Sequence, residues 1–235
     1  MEHYRIADLT IEMACLGETL KRQGRLYRMD QPAPADITIA LPKEKLELYQ
    51  AKHPYFTLNE VEYILTGFAF SRALLDFDGF CLHASAVALD KKAILFSAPC
   101  GTGKSTHAGL WQQYFGHDKA LIINDDKPAL RLLDDRFYVY GTPWSGKSDL
   151  NLNLKAPLQA IVFLEQAREN RIRRLDKGEG VKWLIYQSLR PLGDRDKMDR
   201  LLTLLDALLK RIPVYQLGCT VSTEGVKLVY HTING

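Results

Sequence analysis

The chain has 235 residues, of which 46% are hydrophobic and 25% charged, and its formal net charge is +3. This length allows one sizeable domain, or a core with a small lobe, and the weak charge without a dense Lys/Arg run argues against nucleic-acid binding. No apolar run is long enough to cross a membrane, and none follows the first residues as in a signal peptide, so we expect no membrane partner.

The cysteines are scattered along the chain and form no C-x-x-C pair; they are Cys15, Cys81, Cys100 and Cys219. This pattern is typical of reduced thiols in a cytoplasmic protein. The composition leaves the oligomeric state open, a homo-oligomer included.

Residues 1–56 are predicted to form a small β-rich lobe. Residues 4–14 and 35–41 have the pattern of strands, and the prolines between them indicate a loop. No residue in this lobe indicates chemistry. The sequence Thr-Leu-Asn-Glu, starting at Thr57, is a capping box that begins a helix ending near residue 76 and opens a second unit, residues 57–235.

Strands and helices follow one another irregularly in the second unit. Two hairpins are predicted, residues 80–89 with 92–97 and residues 128–133 with 136–140. Further strands are expected at 120–123, 158–165, 171–175 and 214–217, and helices at 105–115, 182–189, 196–210 and 223–232. Because strands and helices do not simply alternate, we predict an α/β fold with mixed, largely antiparallel sheets.

Two loops resemble phosphate-binding loops, and only one has the required setting. Residues 141–148 match G-x-x-x-x-G-K-[ST] completely, whereas residues 98–105 depart from it because Ala98 replaces the first glycine. A phosphate cradle needs backbone N–H groups at the start of a helix that follows a buried strand. An apolar run and a helical pattern flank residues 98–105, whereas residues 148–154 alternate with period two. We therefore predict the nucleotide site, a P-loop between strand and helix, at residues 101–106.

Each residue type of this loop suits a triphosphate. Gly101 and Gly103 permit a tight turn with positive φ, Lys104 supplies positive charge to the β- and γ-phosphates, and Ser105 supplies a hydroxyl for Mg²⁺. The predicted nucleotide-binding residues are Cys100, Gly101, Thr102, Gly103, Lys104, Ser105 and Thr106. The alternative is an accidental Gly-rich turn.

Two adjacent carboxylates, Asp125 and Asp126, follow the strand predicted at residues 120–123. A carboxylate at the end of a strand beside a cradle can hold Mg²⁺, and its neighbour can accept the proton of an attacking hydroxyl. We predict Asp125 on the metal side and Asp126 as the base, and the reverse order stays open. The alternative is a solvated turn, since Asn-Asp-Asp-Lys-Pro is also good turn chemistry.

His83 is the histidine that we predict to assist catalysis, because it lies on the strand that precedes the cradle strand. A core or sheet-face histidine is the ordinary alternative for a lone strand residue. His107, on the first turn of the cradle helix, is a weaker candidate that a solvated helix position would also explain.

The loop at residues 141–148 is predicted to lie on the acceptor side of the site. Trp144 is expected to form a wall and Lys147 to contact a phosphate or an acidic substrate, with Ser145 between them. The alternative is a turn with a partly buried Trp and a surface Lys.

The series of His83, the cradle and the Asp125-Asp126 pair resembles the catalytic domain of bacterial HPr kinase/phosphorylase, over residues 56–165. That family is related in fold to ATP-dependent phosphoenolpyruvate carboxykinase. The resemblance implies ATP and Mg²⁺ as cofactors, bound by the cradle. It also implies Asp126 as the base toward a serine hydroxyl, assisted by His83.

Three departures distinguish the chain from that family. Ala98 replaces the first glycine of the cradle, and residues 138–140 are Tyr-Val-Tyr where the family has a Glu-x-Arg-Gly signature. The region before Thr57 is also much shorter than the family's N-terminal domain. The chain is therefore more similar to stand-alone HPr-kinase-like proteins, some of which are linked to peptide modification.

We expect an ATP- and Mg²⁺-dependent kinase that transfers the γ-phosphoryl group to a hydroxyl, with serine of a peptide, a protein or a small molecule as the acceptor. Two alternatives stay open. One is a phosphorylase or carboxykinase-type reaction, and the other is a non-catalytic, nucleotide-sensing module in which ATP orders residues 141–148 for a partner. The Asp125-Asp126 pair favours an enzyme, because a binding module needs no base.

Overall fold

The computed structural model describes residues 1–235. The strands are β1 (Glu2–Ile6), β2 (Leu9–Met13), β3 (Ile37–Ile39), β4 (Gly79–Cys81), β5 (Ala84–Leu89), β6 (Lys92–Ser97), β7 (Leu121–Asn124), β8 (Ala129–Leu133), β9 (Arg136–Tyr140), β10 (Lys155–Gln166), β11 (Arg171–Arg174) and β12 (Val214–Cys219). The helices are α1 (Glu18–Gly24), α2 (Lys43–Lys52), α3 (Leu58–Leu74), α4 (Lys104–Phe115), α5 (Lys177–Gln187), α6 (Arg195–Arg211) and α7 (Thr223–Asn234). None of these helices combines the length and the apolar character that a membrane span requires.

The N-terminal residues form a three-stranded sheet, in the order β1-β2-β3. The single strand predicted at 4–14 is wrong, because the chain reverses at Ala7 and Asp8, which both have positive φ. Helices α1 and α2 were not predicted. The apolar side of this sheet shares a core with Phe70 of α3 and with Trp144. The division of the chain at residue 56 stays a prediction.

Helix α3 begins as the sequence predicts. The Thr57 hydroxyl accepts a hydrogen bond from Glu60 N at 3.3 Å, and Thr57 N donates to the Glu60 carboxylate at 2.8 Å. These two bonds satisfy backbone and side-chain groups at the helix start, as a capping box does.

The strand predicted at 80–89 is interrupted, and this interruption matters for the site. Strand β4 pairs with the β8–β9 hairpin, whereas β5 pairs with β6 and β7. Leu82 and His83 connect the two strands at the corner between these parts of the sheet. His83 therefore lies immediately before β5 rather than within a continuous strand.

The large sheet has nine strands and is mixed, which confirms the predicted fold class. Its main order is β4-β8-β9-β10-β6-β5-β7, and β12 and β11 extend it beyond β10. The long strand β10 first pairs antiparallel with β9 and then runs parallel to both β6 and β12. The other neighbours in this sheet are antiparallel.

Helices cover both faces of the sheet around β6 and β10. Alternate residues of the strands point to opposite faces, as pleated strands require. Leu95 and Phe163 pack in the core that contains α5 and α6, whereas Phe96 and Val162 pack in the core that contains α4 and α7. Strands β5, β6 and β10 are therefore buried on both sides.

The strand directions bring three chain segments to one edge of the sheet. Because β5 is antiparallel to β6 and β7, its first residues lie beside the last residues of these two strands. Ala84 pairs with Ser97, and Ala86 pairs with Asn124. His83, the loop after Ser97 and the two aspartates therefore meet at this edge.

The loop after β9 has no room for a side chain at its first residue. A Cβ on Gly141 would overlap the carbonyl oxygen of Leu152 and lie 2.8 Å from the carbonyl oxygen of Ile123. We expect Gly141→Ala to lower the free energy of unfolding by about 2 kcal/mol or more, since backbone must move.

A matched control is Gly109→Ala in α4, where a Cβ would meet nothing within 4 Å. That change should raise the free energy of unfolding by about 0.5–1 kcal/mol, because alanine favours a helix interior. Both values follow from denaturant unfolding curves. Equal effects of the two substitutions would contradict the close backbone packing at Gly141.

Candidate functional site

The loop that departs from the motif pattern has the geometry of a phosphate cradle. Gly101 and Gly103 have φ of +81° and +108°, and Gly103 is followed directly by α4. The first helical hydrogen bond is donated by His107 N, so the preceding N–H groups of the first turn have no intrahelical acceptor. Such free N–H groups and the positive end of the helix dipole favour an anion.

The loop that matches the pattern lacks this geometry, as predicted. Gly146–Ser148 forms only one 3₁₀ turn, and an irregular segment leads from it to β10. The flanking strand and helix therefore identify a phosphate-binding loop better than the match to the sequence motif does.

Lys104 is held inside the cradle loop. Its side chain is buried, and Nζ donates hydrogen bonds to the carbonyl oxygens of Ala98 at 3.0 Å and Pro99 at 3.4 Å. Burial lowers the pKa of the ammonium group, and the nearby acidic groups, Asp126 first, act in the opposite direction. The positive charge is thus kept at the cradle without a carboxylate bound to it.

The two aspartates have different surroundings. Asp125 is buried, and its Oδ1 accepts a hydrogen bond from the hydroxyl of Ser85 at 2.5 Å. Asp126 is less buried; its Oδ2 pairs with Lys127, and its Oδ1 lies 3.4 Å from His83 Nε2. Asp125 is therefore the more buried of the two carboxylates, and Asp126 is the one that faces His83.

His83 is held by Gln187, which is 104 positions away in the sequence. The backbone N of His83 donates to Gln187 O at 2.9 Å, and His83 Nδ1 lies 3.0 Å from Gln187 Oε1. Burial lowers the pKa of His83, and the charge of Lys104 lowers it further, whereas the bond to Gln187 and Asp126 act in the opposite direction. The neutral ring is therefore favoured at neutral pH, with Nε2 facing Asp126.

Most predicted site residues line one cleft of about 500 Å³. Its walls are His83, Cys100, Gly101, Gly103, Lys104, Ser105, Thr106, Asp125, Asp126, Gly146, Lys147 and Ser148. Thr102 is the one cradle residue that lines a neighbouring cavity instead. The structure thus brings together the cradle, both aspartates and His83, which the sequence places on separate segments.

Of the three acceptor-side candidates, only Lys147 lines this cleft. Trp144 is 1% exposed; its ring stacks on Phe70 at 4.9 Å, and its Nε1 donates to the Thr66 hydroxyl at 3.2 Å. Ser145 is also fully buried. The expectation of Trp144 as a wall of the site is therefore not met by the geometry, because its apolar ring is an anchor in the core.

The loop also depends on residues that showed no signal in the sequence. The buried amide of Gln23 in α1 donates to Gly146 O at 2.9 Å and accepts from Ser145 N at 3.2 Å. The hydroxyl of Tyr63 in α3 accepts from Gly146 N at 2.8 Å. The N-terminal lobe, in which no chemistry was expected, therefore holds the loop against the cleft.

Asn124 connects this loop to the aspartates. Its side chain is fully buried; Nδ2 donates to Thr142 O at 2.9 Å, and Oδ1 accepts from Asp126 N at 3.0 Å and Lys127 N at 2.8 Å. The Asn-Asp-Asp turn pattern could have indicated the hydrogen bonds from Asp126 N and Lys127 N to Asn124 Oδ1. In such turns an Asn side chain often accepts from the backbone two residues later. Nothing in the sequence indicated Thr142.

His107 is not a solvated helix residue. Its ring is buried against Phe96 at a centroid distance of 4.7 Å, and Nε2 accepts from Trp111 Nε1 at 3.3 Å. Burial lowers its pKa to about 4. His107 does not line the cleft that contains Asp126.

The residues present fit a magnesium ion held jointly with a nucleotide. No group of three or more His, Cys, Asp or Glu side chains is arranged to hold a metal alone. The Ser105 hydroxyl and the Asp125 carboxylate line the same cleft. Mg²⁺ commonly takes one or two protein oxygens together with phosphates and water, so this small oxygen set suits it.

Comparison with known proteins gives a family. The family model described as "ScmC: SynChlorMet cassette protein ScmC" matches residues 63–229. The chain belongs to the ScmC family. All of the site residues named above except Gln23 lie within residues 63–229, which the family model matches.

No curated protein matches the sequence. Among solved structures, the HPr(Ser) kinase/phosphatase from Coxiella burnetii aligns with a TM-score of 0.37 and 11% identity, covering 65% of this chain and 92% of that one.

The position of Gln187 leads to a test of the His83 environment. Because the bond to Gln187 raises the pKa of His83 and the charge of Lys104 lowers it, Gln187→Leu should lower this pKa and Lys104→Met should raise it. Titration of the ring signals by NMR measures both, with the exposed His117 as an internal reference. Shifts of the same direction in both variants would contradict the described geometry.

Proposed function

We propose that this protein is an ATP- and Mg²⁺-dependent kinase that transfers the γ-phosphoryl group to a hydroxyl, with serine of a peptide, a protein or a small molecule as the acceptor. The observation that carries the proposal is the single cleft shared by the cradle, Asp125, Asp126 and His83. An accidental Gly-rich turn would have no reason to face two carboxylates and a histidine. The order of these motifs in the sequence supports the same reaction class.

The cradle supplies the binding of the phosphates. Free N–H groups at the start of α4 contact the phosphate oxygens, and Lys104 exchanges its bonds to Ala98 O and Pro99 O for phosphate oxygens. Ser105 and Asp125 would hold Mg²⁺, which would offset the negative charge of the phosphates. Ser85 keeps the Asp125 carboxylate in place through its hydroxyl.

Asp126 supplies the base. The acceptor oxygen forms a bond to the γ-phosphorus, the bond from this phosphorus to the ADP oxygen breaks, and the hydroxyl proton passes to Asp126. The neutral ring of His83, 3.4 Å from Asp126, stabilises the proton on this pair of side chains. Lys127 forms an ion pair with the other carboxylate oxygen of Asp126.

The tip of the 141–148 loop supplies the acceptor side. Gly146 packs against Asp126, since a Cβ on Gly146 would lie 3.0 Å from Asp126 Cβ. Lys147 is exposed at this tip and lines the cleft. We infer that Lys147 selects acceptors with a negative charge near the hydroxyl.

We place the reaction in the cytoplasm, because all four cysteines are free thiols.

The role of Asp126 is tested by Asp126→Asn, which keeps the shape of the side chain and removes the base. A screen with labelled ATP against serine, short peptides and cell lysate first identifies an acceptor. We expect ATP affinity within about threefold of the wild type and a rate of phosphoryl transfer lower by about 10²- to 10⁴-fold. Transfer at the wild-type rate would exclude Asp126 as the base.

A matched control is Asp90→Asn. Asp90 is exposed in the β5–β6 turn with a φ of +49°, which asparagine also adopts readily. This turn lies at the opposite end of β6 from the cradle. The control variant should therefore keep both ATP affinity and transfer.

The assignment of the two loops is tested by comparing Lys104→Met with Lys147→Met. Lys104→Met should weaken ATP binding by about tenfold or more, because it removes a charge-assisted contact to phosphate. Lys147→Met should leave ATP affinity nearly unchanged and raise KM for the acceptor. Calorimetry and steady-state kinetics measure these effects, and the inverse result would move the nucleotide to residues 141–148.

A further inference from the structure

A second cavity, of about 550 Å³, adjoins the cradle. It shares Gly101, Gly103 and Thr106 with the cleft described above. Its other walls are Thr102, His107, Leu110, Gln166, Ala167, Cys219, Thr220 and Val221. The volume is within the range of about 300–1,000 Å³ that is usual for small-molecule sites.

The strand order places this cavity on the other side of the cradle from the aspartates. Asp125 and Asp126 follow β7, which is separated from the cradle strand β6 by β5. Gln166 ends β10 and Cys219 ends β12, and these strands lie on the opposite side of β6. Strands β6, β10 and β12 are parallel, so their carboxyl ends meet at one edge.

We propose that this cavity, lined by Leu110, Gln166 and Val221, binds the nucleoside of the triphosphate. The inference rests on the proposed function, because it requires the γ-phosphate to face Asp126. A triphosphate chain held at its middle by the cradle has its nucleoside at the end opposite the γ-phosphate. The cavity beside the ends of β10 and β12 is therefore the space for the nucleoside end of the triphosphate.

The chemistry of the walls suits a base and a ribose. Leu110 on α4 and Val221 on the loop after β12 provide apolar contact, and the Val221 side chain is 81% exposed. A base that covers this side chain removes apolar surface from water, which is favourable. The exposed amide of Gln166 and the hydroxyl of Thr220 provide hydrogen-bonding groups.

His107 belongs to this nucleoside side rather than to the transfer chemistry. Its Nε2 accepts from Trp111, so the neutral ring carries its proton on Nδ1, as a donor. Burial keeps the ring neutral by lowering its pKa to about 4. A neutral, fixed ring is suited to the wall of a binding cavity and not to proton exchange near neutral pH.

The experiment compares magnesium ATP with magnesium tripolyphosphate, which has the phosphates and no nucleoside. Calorimetry on the full chain should show tighter binding of ATP. Val221→Ser should weaken ATP about fivefold by loss of apolar contact, and Ala167→Trp should weaken it more than about tenfold by filling the cavity. Tripolyphosphate affinity should stay within about twofold in both variants.

The matched control is Leu192→Ser, since Leu192 is also 81% exposed and lines a different cavity. It should change neither affinity. The inference is overturned if wild-type protein binds both ligands equally, or if Val221→Ser and Ala167→Trp leave ATP affinity unchanged or weaken both ligands alike. If wild-type protein binds neither ligand, the proposed function itself fails and this inference with it.

Discussion

The buried amide of Asn124 is the interaction on which the geometry of the site depends. It donates to Thr142 and accepts from the backbone of Asp126 and Lys127, and the Thr142 hydroxyl in turn donates to Lys127 O at 2.8 Å. Leaving any of these buried groups without a partner costs about 1–3 kcal/mol. One buried amide therefore joins the turn that carries Asp126 to the loop that carries Lys147.

The same loop shows why a sequence motif needs its structural setting. Residues 141–148 have the letters of a phosphate cradle, but their backbone N–H groups are used elsewhere: Ser145 N and Gly146 N donate to Gln23 and Tyr63. A phosphate would find few free donors there. At the start of α4, by contrast, the N–H groups of the first turn lack intrahelical acceptors. This holds although Ala98 departs from the sequence motif in the loop before α4. A phosphate cradle therefore depends on free backbone N–H donors at a helix start, and not on the number of glycines.

Local signals in the sequence predicted much of the fold and the main parts of the site. The capping box at Thr57, the hairpin turn at residues 90–91 and the helix after the cradle depend on neighbouring residues, so they are visible in a short window. The contacts of His83 with Gln187 and of Gly146 with Gln23 join residues more than a hundred positions apart. Their residue types are ordinary, so only the folded chain reveals them.

The charges of the cleft explain how nucleotide binding and proton transfer are coupled in the proposed reaction. The neutral ring of His83 is favoured because burial lowers its pKa and the positive charge of Lys104 lowers it further. A bound triphosphate places negative charge at the cradle and pairs with Lys104, which weakens this effect. The ring then has a higher proton affinity when ATP is present, at the stage when the pair of Asp126 and His83 receives a proton. By linkage, the same coupling favours ATP binding to the form with the protonated ring.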